Sequence, residues 1–227
     1  MRFPNSEIGH NLHFRDHLRN HSEDRKHYSR MKHMTVEQNS IDAQNYRDNK
    51  DLFIKLTKYN PASPKELAYK ERMLELLKNT PNCFERSSLK AHFTASAWLL
   101  NKAGDKALLM HHTKLDRWFQ LGGHADGDHN LLRVAIKESQ EESGINQIVA
   151  VDSNIFDIDI HPIPARGDKE PGHEHFDVRF LLEVTSDEDV IQNGESKELR
   201  WIGKNRKELP TDSESVVRMF DKWTLDV

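Results

Sequence analysis

Cysteine is nearly absent: Cys83 is the single one in 227 residues, which excludes an internal disulfide framework. Long apolar runs are missing too. No stretch approaches the ~20 residues that span a bilayer, and the opening MRFPNSEIGHNLHFRDHLRN has no apolar core of the signal-peptide kind. The cytoplasm is therefore the expected compartment, with no membrane partner. An excess of positive charge is lacking as well. The formal net charge is -4, which gives no footprint for broad nucleic-acid binding. What the chain does have is charge of both signs, 31% of its residues, and a mean hydropathy of -0.82. Its length suits one ordinary domain plus an extension, or two small domains. The charge is unevenly spread, and residues 10–33 are rich in His, Arg and Lys, with His10, His13, Arg15, His17, Arg19, His21, Arg25, Lys26 and His27. That run reads as a solvated basic helix, with a phosphate- or partner-binding surface as the alternative.

No internal repeat or low-complexity tract is visible. Residues 1–60 read as a polar helical extension, with loose helical patterns over 12–33 and 41–58. A linker helix follows within 61–87. Ser63 is its expected N-cap, Pro64 its first residue and Glu66 the closing member of a capping box. The pattern changes at residue 88. Strands are expected over 92–101, 106–112, 155–164, 173–184 and 198–203, with a Gly104-Asp105 turn after the first. Residues 117–128 read as a short extended piece and a Gly- and Asp-rich loop. Residues 130–143 read as a helix stopped by Gly144, and 212–223 as a closing amphipathic helix capped at Asp212. Strands mixed with few helices point to an α+β fold over 88–225.

The chemistry is concentrated in GGHADGDHNLLRVAIKESQEESGI, Gly122 to Ile145. Glu138, Glu141 and Glu142 stand at i, i+3 and i+4, which gathers three carboxylates on one helix face. Leu132, Ala135, Ile136 and Ser139 are expected on the opposite, buried side. Like charges so spaced repel, and a hard cation that takes oxygen ligands would compensate them. A solvated Glu-rich face, with Lys137 pairing to Glu141, is the plain alternative. The preceding Gly122-Gly123 and Asp126-Gly127-Asp128 favour the cation, because they let the backbone bend and a metal-bound diphosphate approach.

This stretch resembles the Nudix box, G-x5-E-x7-R-E-U-x-E-E-x-G-U, in which U is bulky and apolar. Gly123, Glu138, Glu141, Glu142, Gly144 and Ile145 match. His129 stands for the first Glu, Lys137 for the Arg and Ser139 for the apolar residue. Lys137 keeps the charge and loses the bidentate fork. The resemblance covers about 88–225. It implies a three-layer α/β/α sandwich and a hydrolase that cleaves the diphosphate linkage of a nucleoside diphosphate joined to a group X. It further implies Mg²⁺ (or Mn²⁺) as cofactor. Glu138, Glu141 and Glu142 would be the catalytic metal ligands, with the Gly123 carbonyl beside them and Glu195 or Glu198 as a further acid. Gly122, His124, Trp118 and Lys137 are candidate substrate contacts. Trp118 and Phe119 also read as core. A small-molecule nucleotide or other diphosphate is the implied partner, and a homodimer the implied assembly. Two rivals stay open, both on the same fold. One is an impaired module that binds nucleotides without turnover, motivated by His129 and Lys137. The other is an isoprenyl diphosphate isomerase, whose catalytic cysteine Cys83 matches poorly because it precedes the first strand. His124, His129, His161, His173 and His175 read as substrate-contacting or structural, with Zn²⁺ as the alternative. Residues 1–58, through NLHFRDHLRNHSEDRKHYSRMK and YRDNKDLFIKL, resemble the C-terminal tail of the GrpB-like family, related to nucleotidyltransferases. They read as a remnant or docking extension without transferase activity.

Overall fold

The structure is a computed structural model that describes residues 17–26, 29, 40–167 and 171–225, with the backbone alone for 40–46. Most of the basic run expected over 10–33 therefore lies outside the described residues. Contacts divide the chain into two units, residues 1–54 and 55–227. In the first, helical turns at 17–20 and 22–26 precede helix α1 (Ser40–Lys58), whose last turn lies in the second unit. Two of its described basic residues have local partners: His17 meets Asp24 at 2.8 Å and Lys26 meets Glu23 at 2.7 Å.

The second unit contains α2 (Pro64–Asn79), β1 (Ala91–Leu100), β2 (Lys106–His112), β3 (Arg117–Phe119), β4 (Leu121–His124) and α3 (Leu131–Ser143). It continues with β5 (Ile148–Ala150), β6 (Asp157–Ile163), β7 (His173–Val184), β8 (Ser196–Gly203), a 3-10 turn (Arg206–Glu208) and α4 (Glu214–Leu225). Strand β7 runs parallel to β1 from Ala91↔Glu174 to Leu100↔Glu183, and pairs antiparallel with β6 and β5 on its other side. β1 also pairs with β4 at mid-length and with β2 at its end. β2 in turn carries β8 and β3. Among the described residues, no helix is long and apolar enough to cross a membrane.

Every residue of β1 is buried, so both faces of this strand are covered. Side chains alternate between faces along a strand. Phe93, Ala95 and Ala97 thus share one face, and His92, Thr94, Ser96 and Trp98 the other. Helix α3 lies against β1 and β4. On the Trp98 face, Val216, Met219, Phe220 and Trp223 of α4 pack on Trp98, Leu100, Ala107, Leu109 and Ile202. Each buried Val, Leu, Ile, Met or Phe among them contributes about 1.5–3 kcal/mol. The result is the expected three-layer α/β/α sandwich.

Several local expectations need correction. Ser63 Oγ does accept from Glu66 N at 3.2 Å, but the Glu66 carboxylate turns to Tyr59 OH, Ala62 N and Lys222 instead of closing the box. Helix α4 begins at Glu214, and Ser213 O accepts its first bond from Val217 N at 2.9 Å. Asp212 is thus outside the cap position. β5 and the 3-10 turn were not anticipated. Several polar residues of β6 and β7 are buried, a fate that their alternation did not disclose. Arg179 is 1% exposed and pairs with Asp177 (2.7 Å), Asp157 (3.0 Å) and Asp159 (3.4 Å). Arg218 of α4 meets the same Asp157 and Asp159, at 2.8 and 3.0 Å. Lys222 links Asp157 (2.6 Å) to Glu66 (2.9 Å). Burial opposes the charge of Asp157 and Asp159, yet these cations hold both carboxyls below the usual range.

Candidate active site

Two glycines bring the strand and the helix together. Gly122 sits opposite Ser96 in the β4–β1 ladder, so close that a Cβ there would overlap Ser96 and the Ala95 carbonyl. A Cβ at Gly123 would run into the Glu138 carboxylate. At Gly122 the backbone must therefore be glycine, whereas at Gly123 a Cβ would displace the Glu138 side chain. Asn130 then caps α3 by accepting from Arg133 N at 3.1 Å. Gly144, left-handed at φ 76°, ends the helix with its N–H on Gln140 O.

The three box glutamates occupy unequal environments. Glu142 is 5% exposed, and one of its oxygens accepts the Gly122 N–H at 2.8 Å. Burial first, and then the charges of Glu138, Glu195 and Glu141, push its carboxyl up to about 8, against the pull of that N–H. Glu138 is also raised, by burial and then by Glu141, with Lys137 opposing. Glu141 is exposed. Lys137 stands 3.5 Å from both Glu138 and Glu141. The helix therefore does not divide into one acidic face and one buried face, as the sequence suggested. Its buried residues are Leu131, Val134, Ala135, Ser139, Ser143 and Glu142 itself, while Leu132 and Ile136 are half-buried. Glu142 follows Ser139 by three positions and so shares the inward stripe.

This donor set fits a hard divalent cation. It is all oxygen, two of its carboxylates resist ionisation when no cation is near, and the Gly123 backbone is pressed against one of them. The other loop acids are engaged elsewhere. Asp126 forms a bidentate pair with Arg86 and Asp128 one with Arg133. The two candidate further acids separate. Glu195 is one of the charges acting on Glu142, and its neighbour Asn193 donates to Glu141 O at 3.2 Å. Glu198 instead pairs with Arg200 at 2.7 Å.

The remaining candidates are dispersed. His129, at the position of the first box Glu, stacks on Phe84 with centroids 4.2 Å apart. Trp118 stacks on His111 at 5.0 Å, lies 4.6 Å from the Arg200 guanidinium and packs against the α4 core. Cys83 is buried and its thiol is pushed up to about 12 by burial, so it is an inert core residue. His124 falls in a group with His92 and His175. Sequence reasoning missed His92. Only the parallel register, which sets His92 opposite His175, could have found it.

Against known proteins, a family model described as "NUDIX domain" matches residues 90–220, and one described as "GrpB protein" matches residues 1–59. No curated protein matches the chain. Among solved structures, it is similar to an Ap4A hydrolase of C. elegans in a binary complex, with 19% identity, 59% of this chain and 96% of that one covered, and TM-score 0.48. It is similar to a NUDIX-family hydrolase from Clostridium perfringens, with 28% identity, 60% and 98% covered, and TM-score 0.45. A UDP-X diphosphatase is matched at 16% identity over 91% of this chain and 96% of that one, with TM-score 0.39.

Proposed function

The chain belongs to the Nudix family of pyrophosphohydrolases, and from that premise we propose that it cleaves the diphosphate linkage of a nucleoside diphosphate-X substrate, with Mg²⁺ or Mn²⁺ held by Glu138, Glu141, Glu142 and the Gly123 carbonyl. The observation that carries this reading is the buried Glu142 carboxylate, fixed through one oxygen by the Gly122 N–H. A bound divalent ion supplies charge for the diphosphate and an acidified water for attack on phosphorus. The chain's own residues do the rest. Gly122 N–H orients Glu142 and leaves its second oxygen available. Lys137 keeps Glu138 and Glu141 from splaying apart. Glu195, whose charge acts on Glu142, is the residue we assign to accept the proton of the attacking water, in preference to Glu198. Residues 88–225 form the catalytic domain in this reading, and 1–60 its helical extension.

The test is product release from dinucleotide, nucleotide-sugar and nucleoside triphosphate substrates, with Mg²⁺ and with Mn²⁺, beside Glu142→Gln and Glu195→Gln. Metal-dependent turnover that falls about a hundredfold or more in Glu142→Gln is expected. Nucleotide binding with no turnover of any substrate would overturn the reading and favour the impaired binding module.

A further inference from the structure

On the sheet face opposite Glu138, we propose that His92, His124 and His175 form a binding site for one transition-metal ion of the Zn²⁺ class, separate from the hard-cation site of the box. One ligand atom from each lies within 4.8 Å of the others. The sheet register makes this convergence. His92 of β1 stands opposite His175 of β7, and His161 of β6 is opposite His175 on its other side. His124 of β4 is opposite Thr94, two positions along β1 from His92 and so on the same face. Since Gly123 is turned toward Glu138, the next residue, His124, points away from the box helix.

His92 supplies the second observation. The residue is 3% exposed. Nδ1 lies 3.3 Å from Ser88 O, which fixes the proton there and leaves Nε2 with a lone pair. That Nε2 is buried without a hydrogen-bond partner, and a buried polar atom in this state calls for a ligand. A ring N–H donated to a backbone carbonyl is the usual support of a metal-binding imidazole. A buried imidazole favours its neutral form, which is the form that binds a metal ion. Three neutral nitrogens suit Zn²⁺ and its neighbours far better than Mg²⁺. Bonds of about 2.0–2.1 Å in a tetrahedron set nitrogens about 3.4 Å apart, so small ring rotations complete the site. A fourth imidazole is close by: His173 Nε2 lies 3.2 Å from that of His175. His124, His161, His173 and His175 are only partly buried, which gives an ion a way in.

The experiment is a titration of chelator-stripped, untagged full chain with Zn²⁺ and with Co²⁺, in a large excess of Mg²⁺. Wild type and Glu142→Gln should take up the same number of equivalents and give the visible absorption of tetrahedral Co²⁺. His92→Gln and His124→Gln should each bind one equivalent fewer and lose that absorption. His124 is half-buried, so its variant keeps the fold, which metal-free melting checks. Zn²⁺ should raise the melting temperature of wild type and not of His124→Gln. Uptake unchanged in both histidine variants, or lost in Glu142→Gln instead, overturns the proposal, as does the absence of binding by wild type.

Discussion

Replacing Glu142 by Gln should make the metal-free protein more stable at neutral pH while removing its activity. The Glu142 carboxyl moves from an ordinary 4.5 to about 8 in the folded chain, because burial and then Glu138, Glu195 and Glu141 disfavour its charge. A carboxyl raised on folding adds stability that is fully present below 4.5 and is lost as pH rises through the folded value. At about 1.36 kcal/mol per pH unit, the whole gap is worth about 5 kcal/mol, of which about 3 kcal/mol is already lost at pH 7. Gln keeps an oxygen for the Gly122 N–H and carries no charge, so it escapes the loss. For a unit of this size, 3 kcal/mol corresponds to about 6–12 °C in melting temperature. The assay is thermal unfolding of both proteins from pH 4 to 9 in chelator, repeated with Mg²⁺. The variant should draw level with wild type near pH 4.5 and melt progressively higher above it. Mg²⁺ should narrow the difference by stabilising wild type alone. Parallel curves, or a variant that melts below wild type at pH 8, would refute the account of Glu142 as a buried, uncompensated carboxylate.

Three further outcomes are expected. Arg179→Ala leaves Asp157, Asp159 and Asp177 without their shared buried cation and should cost about 3–5 kcal/mol in urea unfolding. Gly122→Ala forces a Cβ into the Ser96 backbone and displaces the donor to Glu142. It should cost more than about 2 kcal/mol and depress turnover, whereas Gly104→Ala, with open space around it at φ +70°, should cost about 1 kcal/mol and leave turnover unchanged. His129→Glu restores the box residue but removes a ring from Phe84, so melting should show a loss of about 1 kcal/mol.

What the sequence conveyed depended on whether a residue's partners were near it in the chain. Helix α3 was legible because its glycine stop and its carboxylate spacing lie within one short stretch, although its cap, Asn130, was read as part of the helix. β6 and β7 were legible as strands from their alternation, but the destination of their polar residues was not. Period two states that Asp157, Asp159 and His161 share a face, not that this face is buried. Burial came from α4 and β7, whose Arg218, Lys222 and Arg179 meet the aspartates across long stretches of chain. The same reasoning explains the inward Glu142. The spacing set Glu138, Glu141 and Glu142 within one turn of each other, yet the depth of Glu142 depended on β4 bringing the Gly122 N–H to it.

The two main departures from the box act at different places. His129 has exchanged a carboxylate for a ring that packs on Phe84, while the Gly127 N–H bonds to Phe84 O at 3.0 Å. The change thus anchors the glycine loop to residues just before β1, and the three glutamates of α3 keep their mutual spacing. Lys137 is the departure nearer the chemistry. It approaches Glu138 and Glu141 at 3.5 Å each, longer than a good charge-assisted bond of about 2.7–2.9 Å, because one ammonium is shared between two acceptors. A guanidinium could serve both with separate N–H groups. Lys137→Arg should therefore tighten both carboxylates and raise turnover a few-fold under the proposed mechanism, read as kcat with KM little changed. A fall in kcat would mean that the looser lysine contact suits the site, and that the single charge shared at 3.5 Å is sufficient to position the pair.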